Sequence, residues 1–193
     1  MSTNKLLSYF DNYIPLNSKE KEELGKRVVE KKLKRRQFIL QENEVCKHYT
    51  FVVSGLLKMY AVDGNASEHN IQFACEDEWI TDNSSFHSEK PSRLCIEAIE
   101  PSVVLQIDKP NLIYLFHNHT KFDRIFRVIA ENKNLELQNR VLQNISSTGE
   151  ERYITFLDQY QHLINRLPNT QIASYLGITP EFLSKIRSTI SKK

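Results

Sequence analysis

Residues 169–188 have the sequence NTQIASYLGITPEFLSKIRS, and this stretch decides how the C-terminal part of the chain folds. Two helices that cross closely need a small residue at the crossing and a tight turn between them. Ala173 supplies the small residue, and Gly177 supplies a left-handed backbone at the turn. Thr179 is a good N-cap and Pro180 suits the first helical position, so a helix-turn-helix is predicted. Its five apolar core positions are Ile172, Leu176, Ile178, Leu183 and Ile186.

The second helix of this motif has a polar face that could lie in a DNA major groove. A carboxylate such as Glu181 can accept a hydrogen bond from cytosine N4, and Lys185 can donate to guanine O6 or N7. Arg187, Lys192 and Lys193 are predicted to contact phosphates, which position a protein but do not specify sequence. Residues 166–193 carry five basic residues against one acidic residue, although the net charge of the whole chain is only +2. The predicted DNA-binding residues are Thr179, Pro180, Glu181, Ser184, Lys185, Arg187 and Ser188.

The N-terminal part of the chain changes from helical to strand-like patterning. Apolar residues at helical spacing over 4–31 predict two helices, the second capped by Ser18 and running through Val29. The basic run at 31–36 could form a nucleic-acid patch, but the pattern favours a solvated segment leading into the first strand. Six short runs between residues 37 and 108, rich in aromatic and β-branched residues, predict an antiparallel barrel or jelly roll.

One turn within the strand region has a specific sequence signal. Asp63-Gly64-Asn65 lies between two strand-like runs, which predicts a hairpin turn in which Gly64 adopts a positive φ. Only five glycines are present in 193 residues, so few remain for a backbone cradle around phosphate.

A long helix without Gly or Pro is predicted from about residue 121 to residue 145. In heptad register, one apolar row and one mixed row containing two Asn residues repeat along it, which is typical of a parallel dimeric coiled coil. An ordinary core helix is the alternative, because Phe122, Phe126, Ile129 and Val141 lie off this seam. The predicted dimer contacts are Ile125, Val128, Asn132, Leu135, Asn139 and Leu142.

These patterns divide the chain into three parts: a β-roll domain at 1–120, a dimerisation helix at 121–146 and a helix-turn-helix domain at 147–193. No apolar stretch approaches the roughly 20 residues of a membrane span, and no signal peptide is evident. Three widely spaced cysteines without a Cys-x-x-Cys motif are typical of reduced, buried thiols. We therefore expect a cytoplasmic protein without membrane contact, metal or cofactor.

The order of a β unit, a long helix and a C-terminal helix-turn-helix resembles the Crp/Fnr family of bacterial transcription regulators. The resemblance rests on the pattern from Ala173 to Arg187 and on residues 49–60, YTFVVSGLLKMY, which look like the family's strand–Ser-Gly–strand signature. It implies an α+β fold: an N-terminal antiparallel β-roll of the double-stranded jelly-roll type with flanking helices, then the long dimerisation helix and the helix-turn-helix. It also implies a homodimer with two recognition helices in successive major grooves of double-stranded DNA. Glu181 and Lys185 match base-reading positions of the family, whereas Pro180 stands where an arginine is common.

The effector segment departs from the family pattern. Cyclic-nucleotide-binding members use a Gly-Glu pair and, about ten residues later, an Arg-Ser or Arg-Ala pair to hold phosphate and ribose. Here Thr81 replaces the glycine, Asp82 replaces the glutamate, and the arginine is displaced by one residue to Arg93. A shift of one residue turns a strand side chain to the other face. We therefore expect an unidentified small-molecule effector rather than cyclic AMP, at a pocket formed by Thr81, Asp82, Asn83, Ser84, Ser85, Ser92 and Arg93.

The β-hairpin wings common in the family are expected to be reduced or absent, because residues 163–168 lead straight into the motif and the sequence ends soon after Ile190. DNA affinity is then expected to be modest, or to depend on a partner such as RNA polymerase.

Two other functions fit parts of the sequence. A β-roll could bind a ligand or a protein without any role for DNA. A cupin-type metalloenzyme would need imidazoles converging from neighbouring strands, but His48, His69 and His87 are dispersed, and His117 and His119 fall in a predicted helix or turn. The resemblance favours a non-enzymatic DNA-binding regulator over both.

Overall fold

The computed structural model describes residues 2–190, which form two compact units. Of these residues, the first unit comprises 2–61 and Ile71–Ala130, and the second comprises Val62–Asn70 and 131–190. The second unit therefore combines a short internal segment with the C-terminal third of the chain.

Two helices open the first unit, α1 (Ser2–Asp11) and α2 (Ser18–Arg27). The N-cap of α2 is Asn17, not the predicted Ser18: its side chain accepts a hydrogen bond from the Glu20 amide, and the Glu20 carboxylate accepts one from the Asn17 amide at 2.7 Å. The predicted extension of this helix through Val29 is wrong. Val29 begins a strand, because the backbone there pairs with a distant strand at Gln106.

Eight strands form two four-stranded sheets with the orders β1-β8-β3-β6 and β2-β7-β4-β5. The antiparallel β-roll is thus confirmed, and the six predicted runs correspond to β2, β3, β4, β5, β7 and β8. Strands β1 and β6 were not predicted, and a short helix, α3 (Asn83–Ser88), was also missed. The strands are β1 (Val29–Leu33), β2 (Phe38–Leu40), β3 (His48–Ser54), β4 (Leu57–Val62), β5 (Glu68–Ala74), β6 (Trp79–Ile80), β7 (Leu94–Ala98) and β8 (Ser102–Asp108).

An aromatic cluster ties α1 and the later long helix to the β-roll. The Phe10 ring stacks on Trp79, and Trp79 also contacts Phe51 of β3 at a centroid distance of 5.1 Å. Phe126 contacts both Trp79 and Phe10. Phe10 and Phe51 are fully buried, so the cluster belongs to the main hydrophobic core.

Glycine has a strict steric role at only one turn of the roll. Gly55, between β3 and β4, has φ of +99°, and a Cβ atom there would lie 2.7 Å from the Ser102 backbone Cα. The predicted positive φ at Gly64 is wrong: Ala66 takes the left-handed conformation instead. The Asp63 carboxylate shapes this turn by accepting hydrogen bonds from the amides of Asn65 and Ser67.

Helices α4 (Lys109–Asn118) and α5 (Thr120–Ser146) follow the roll. The single long helix predicted for this region is confirmed, with a length of 27 residues. Its first part packs into the core of the first unit through Phe122, Ile125 and Phe126.

Three helices and one 3-10 turn complete the second unit: α6 (Gly149–Tyr160), the turn Gln161–Leu163, α7 (Asn169–Leu176) and α8 (Pro180–Ile190). Thr148 and Glu151 form a capping box at the start of α6, which explains why the chain restarts a helix there. Within residues 147–190 the structure contains no strand, so no β-hairpin wing lies in this stretch. Among the described residues, no helix is long and apolar enough to span a membrane.

Candidate functional site

The turn between α7 and α8 has the geometry that its sequence predicts. Gly177 has φ of +65°, and the Ile178 amide donates to the Ala173 carbonyl at 3.0 Å, which closes the end of α7. The Thr179 hydroxyl accepts a hydrogen bond from the Phe182 amide at 3.2 Å, and Pro180 is the first residue of α8. The N-cap at Thr179 and the helix start at Pro180 are therefore confirmed.

The two faces of α8 differ sharply in exposure. Leu183 and Ile186 are buried against the rest of the motif. The opposite face is exposed, and its polar residues recur at helical spacing, so they share one side of the helix. The exposed residues of the predicted DNA-binding set are Thr179, Glu181, Ser184, Lys185 and Ser188.

The remaining predicted DNA contacts within the described residues are less exposed to solvent. Pro180 is half-buried at the start of α8, and Arg187 is half-buried because its guanidinium donates to the Asn169 side chain at the start of α7. Arg187 thus ties the two helices together, a structural role beside the predicted phosphate contact. Lys192 and Lys193 lie outside the described residues.

Helix α7 is held from one side by aromatic and charged side chains that the sequence did not indicate. The Arg140 guanidinium lies 3.9 Å from the centroid of the Tyr175 ring and donates to the Tyr175 carbonyl at 3.0 Å. The Tyr160 hydroxyl donates to Glu136 at 2.7 Å. Burial raises the pKa of Tyr160, and Tyr175 and Glu136 raise it further, so this phenol remains a donor at all physiological pH values. These contacts fix the first helix of the motif to α5.

A hairpin segment belonging to the second unit, residues 62–70, also contacts α7. The Asn70 side chain donates to the Gln171 carbonyl at 3.1 Å and to the Gln171 side chain at 2.9 Å. The Ser174 hydroxyl donates to the Glu68 carbonyl at 2.6 Å and accepts from the Asn70 amide at 3.0 Å. No local pattern could have indicated these contacts, because about a hundred residues separate the partners.

The predicted dimer residues of α5 fall into two groups. Val128, Leu135 and Leu142 are exposed along one row, with Leu142 exposed by 62%, and Asn132 and Asn139 are exposed beside them. Ile125 does not belong with them: it is fully buried in the core of the first unit, so its side chain cannot meet a partner helix. Leu137, Val141 and Ile145 are further exposed apolar residues that the heptad pattern did not include.

The predicted effector residues form a closed hydrogen-bonded segment. Asp82 is the N-cap of α3, and its carboxylate accepts from the amides of Ser84 and Ser85 at 3.0 and 3.2 Å. Its second oxygen accepts from the Ser92 hydroxyl at 2.6 Å. Asp82, Ser85 and Ser92 are all buried, as is Thr81, whose hydroxyl donates to the Ile80 carbonyl.

The other predicted effector residues point elsewhere. Arg93, Ser84 and Asn83 are exposed, and Asn83 accepts a hydrogen bond from the Tyr49 hydroxyl at 2.7 Å. The position ten residues after Asp82 holds Ser92 rather than an arginine, and the Ser92 hydroxyl donates to the Asp82 carboxylate. The Asp82 carboxylate is thus engaged by hydrogen-bond donors of its own segment.

The described residues contain no group of three or more His, Cys, Asp or Glu side chains that could hold a metal ion. Cys46, Cys75 and Cys95 are free and buried, in agreement with the expected reduced thiols. Burial raises the pKa of the Cys46 thiol, which keeps it protonated and unreactive.

Two sequence comparisons bear on the family. Residues 30–119 match the family model of the cyclic nucleotide-binding domain, a range that runs from β1 to the end of α4. No curated protein matches the chain.

Solved structures show the wider likeness. FixK2 from Bradyrhizobium japonicum is 20% identical with a TM-score of 0.73, over 86% of this chain and 85% of that one. A Crp/Fnr family transcriptional regulator from Eubacterium rectale is 15% identical with a TM-score of 0.72, over 95% and 88% of the two chains. The c-di-GMP-responsive global regulator CLP from Xanthomonas campestris is 12% identical with a TM-score of 0.69, over 91% and 92%. Residues 30–119 therefore form a domain of the cyclic nucleotide-binding type, and the chain has the fold of the Crp/Fnr transcription regulators.

Proposed function

We propose that this protein is a homodimeric, sequence-specific DNA-binding transcription regulator of the cytoplasm, with no enzymatic activity. The observation that carries the proposal is the exposed polar face of α8, which follows a tight turn and lies opposite the buried Leu183 and Ile186. A helix presented in this way can enter a major groove, where side chains near its N-terminus meet base edges.

Roles within the face follow from side-chain chemistry. Glu181, in the first turn of α8, is suited to accept from cytosine N4, and Lys185, one turn later, is suited to donate to guanine. Ser184 and Ser188 can donate to or accept from bases or phosphates. Thr179 and Arg187 would contact the DNA backbone while they also hold the motif together.

The exposed row on α5 supports the homodimer. Val128, Leu135 and Leu142 recur every seven residues, which matches one seam of a parallel coiled coil, and Asn132 and Asn139 would fix its register. A two-fold dimer would place two copies of α8 about one DNA turn, roughly 34 Å, apart. Residues 147–190 contain no wing, so this stretch offers fewer phosphate contacts, and cooperation with RNA polymerase would strengthen promoter binding.

DNA binding is tested by selecting fragments from random DNA with the purified full chain, then measuring variants on the selected site and on unrelated DNA. Lys185→Ala should weaken binding to the selected site by about 1–3 kcal/mol and leave unrelated DNA almost unaffected. Arg187→Ala should weaken both. Lys19→Ala is the matched control, since it removes the same charge from an exposed position of α2. Equal losses on both DNAs for Lys185→Ala would refute its base-reading role, and failure to select any sequence would refute the function.

The dimer is tested by sedimentation equilibrium. Leu142→Asp places a charge in the proposed seam and should give a monomer. Leu137→Asp, at an exposed apolar position outside the seam, should leave the dimer intact. A monomeric wild-type protein, or a dimer that survives Leu142→Asp, would refute this interface.

A further inference from the structure

We propose that Arg140 and Arg152 are positioning residues that determine which spacing between two DNA half-sites the dimer accepts. The inference rests on the proposed DNA-binding dimer and adds what holds its two copies of α8 at a fixed separation. All the contacts that carry it lie within the second unit.

The first observation is that both guanidiniums bind the C-terminal end of α7. Arg140 donates to the Tyr175 carbonyl at 3.0 Å. Arg152 donates to the Leu176 carbonyl at 3.1 Å. These are the last two carbonyls of α7, directly before the turn at Gly177. Because the last carbonyls of a helix have no partner within the helix and carry partial negative charge, a guanidinium stabilises them, and the two arginines hold the point where α7 turns into α8.

The second observation is that each arginine also contacts another element. Arg140 donates to the Asn70 carbonyl at 2.9 Å, and its Cζ atom lies 3.9 Å from the centroid of the Tyr175 ring. Arg152 donates to the Ser147 carbonyl, directly after the end of α5, at 2.8 Å. One guanidinium therefore joins α5 to the 62–70 hairpin and to α7, and the other joins the connection between α5 and α6 to α7. A planar group with several fixed donors is suited to binding more than one carbonyl at once.

The third observation is where Arg140 lies on α5. Leu135 and Leu142, exposed residues of the proposed dimer seam, come five residues before it and two residues after it. At 3.6 residues per turn, these spacings place Arg140 about 140° and about 160° away from them around the helix. A partner packed on the seam and an α7 bound by Arg140 would thus be joined through opposite sides of the same two turns of α5.

This connection predicts a strict spacing of the DNA half-sites. Half-sites one DNA turn apart are separated by about 10–10.5 base pairs, or about 34–36 Å. One extra base pair moves the second half-site by about 3.4 Å along the DNA and by about 35° around it, and a rigid dimer cannot follow both changes. Loss of either arginine would let α7 and α8 turn relative to α5, so the dimer would accept more than one spacing.

Gel-shift titrations of the full chain test the proposal on DNAs that carry two copies of the selected half-site and differ by single base pairs in the spacer. The wild-type protein should bind one spacing more tightly than its neighbours by about tenfold or more, because a misfit spacing prevents both half-sites from being bound together. Arg140→Ala and Arg152→Ala should each reduce this preference to about threefold or less and retain the base preference within each half-site. Arg127→Ala makes the same change at an exposed position of α5 and should keep the wild-type preference.

A DNA with a single half-site separates positioning from folding of the motif. One copy of α8 needs no partner at a set distance, so Arg140→Ala and Arg152→Ala should bind this DNA within about twofold of the wild type. If both variants lose binding to the single half-site, or bind every spacing more weakly with the wild-type preference intact, the two arginines only stabilise the fold and the proposal is overturned. A wild-type protein that binds DNA without a spacing preference would overturn it and leave the proposed DNA binding standing, whereas a wild-type protein that selects no DNA would refute both.

Discussion

Replacing Gly55 by alanine should destabilise the first unit strongly, for two separable reasons. The backbone at Gly55 has φ of +99°, a region that an L-residue enters at a cost of about 1–2 kcal/mol. The added methyl would also lie 2.2 Å from Ser102 Oγ, 2.6 Å from Ser102 Cβ and 2.7 Å from Ser102 Cα. The hydroxyl can rotate away, but the Cα belongs to strand β8 and cannot. Overpacking of this kind costs about 1–3 kcal/mol, so a total near 3 kcal/mol is expected.

The same substitution at Gly25 provides a control within the same unit. Gly25 is exposed in α2, and its nearest neighbour would lie 4.0 Å from the new methyl. Because glycine in a helix is less favourable than alanine by about 0.5–1 kcal/mol, Gly25→Ala should stabilise the unit. The same Gly→Ala substitution is therefore expected to lower the free energy of unfolding at position 55 and to raise it at position 25.

Urea denaturation followed by Trp79 fluorescence measures both effects, because Trp79 lies in the core cluster of the first unit. With a slope of about 2 kcal/mol per molar urea, Gly55→Ala should lower the midpoint by about 1.5 M and Gly25→Ala should raise it slightly. The double variant Gly55→Ala with Ser102→Gly should recover only part of the loss, since it removes the contacts with Ser102 Oγ and Cβ but leaves the contact with Ser102 Cα and the φ cost. If Gly55→Ala falls within 1 kcal/mol of the wild type, or loses no more than Gly25→Ala, the steric reasoning is refuted.

Two further substitutions probe other parts of the chain. Ala173→Leu, at a fully buried position of α7, should cost about 1–3 kcal/mol and abolish binding to selected DNA in a gel-shift assay, whereas Ala130→Leu, exposed on α5, should leave binding intact. Burial raises the pKa of the Glu20 carboxyl, but hydrogen bonds from the Asn17 amide and Lys121 lower it by more, so the net shift is downward. The stabilisation from this carboxylate is therefore present above about pH 4.3 and is lost as the pH falls through the lowered pKa. Glu20→Gln should therefore be less stable than the wild type by about 1–3 kcal/mol at pH 7, with the difference shrinking below pH 4 in urea titrations; a difference independent of pH would contradict this account.

The helix-turn-helix could be predicted closely because its signals are local. Gly177, Thr179 and Pro180 each impose a backbone conformation or a cap on their own neighbourhood, so the sequence contains the turn geometry directly. The same is true of the long helix, whose 27 residues contain neither Gly nor Pro. In both cases, adjacent residues determine the outcome.

Errors arose where distant partners decide the structure. Val29 continues a helical pattern in sequence, but pairing with β8 makes it a strand residue. The heptad register placed Ile125 in one row with Asn132 and Asn139, yet a period of seven residues cannot distinguish a partner helix from the protein's own core. At the hairpin, the Asp63 carboxylate and Ala66 shape the turn, whereas the sequence pattern pointed to Gly64.

For the effector segment, the sequence showed only where it departs from the family pattern. The replacements at Thr81 and Asp82 and the displaced arginine indicated that a cyclic phosphate would not fit. The sequence could not show that Asp82 turns inward to cap α3, because that helix has only six residues and its third donor, Ser92, lies ten residues away.

The contacts between the 62–70 hairpin and α7 mean that the proposed DNA-binding part of this chain is not a contiguous module. A fragment that begins at residue 131 would lack the Glu68 carbonyl and the Asn70 side chain to which Ser174 and Gln171 are bonded. A chimera that exchanges only the C-terminal helices would lose the same contacts. The helix that replaces α7 would have to present a hydroxyl and an amide, as Ser174 and Gln171 do, to a hairpin that evolved with another sequence. Recombination between proteins of this architecture would therefore have to exchange, or adapt, two separate segments of the gene together.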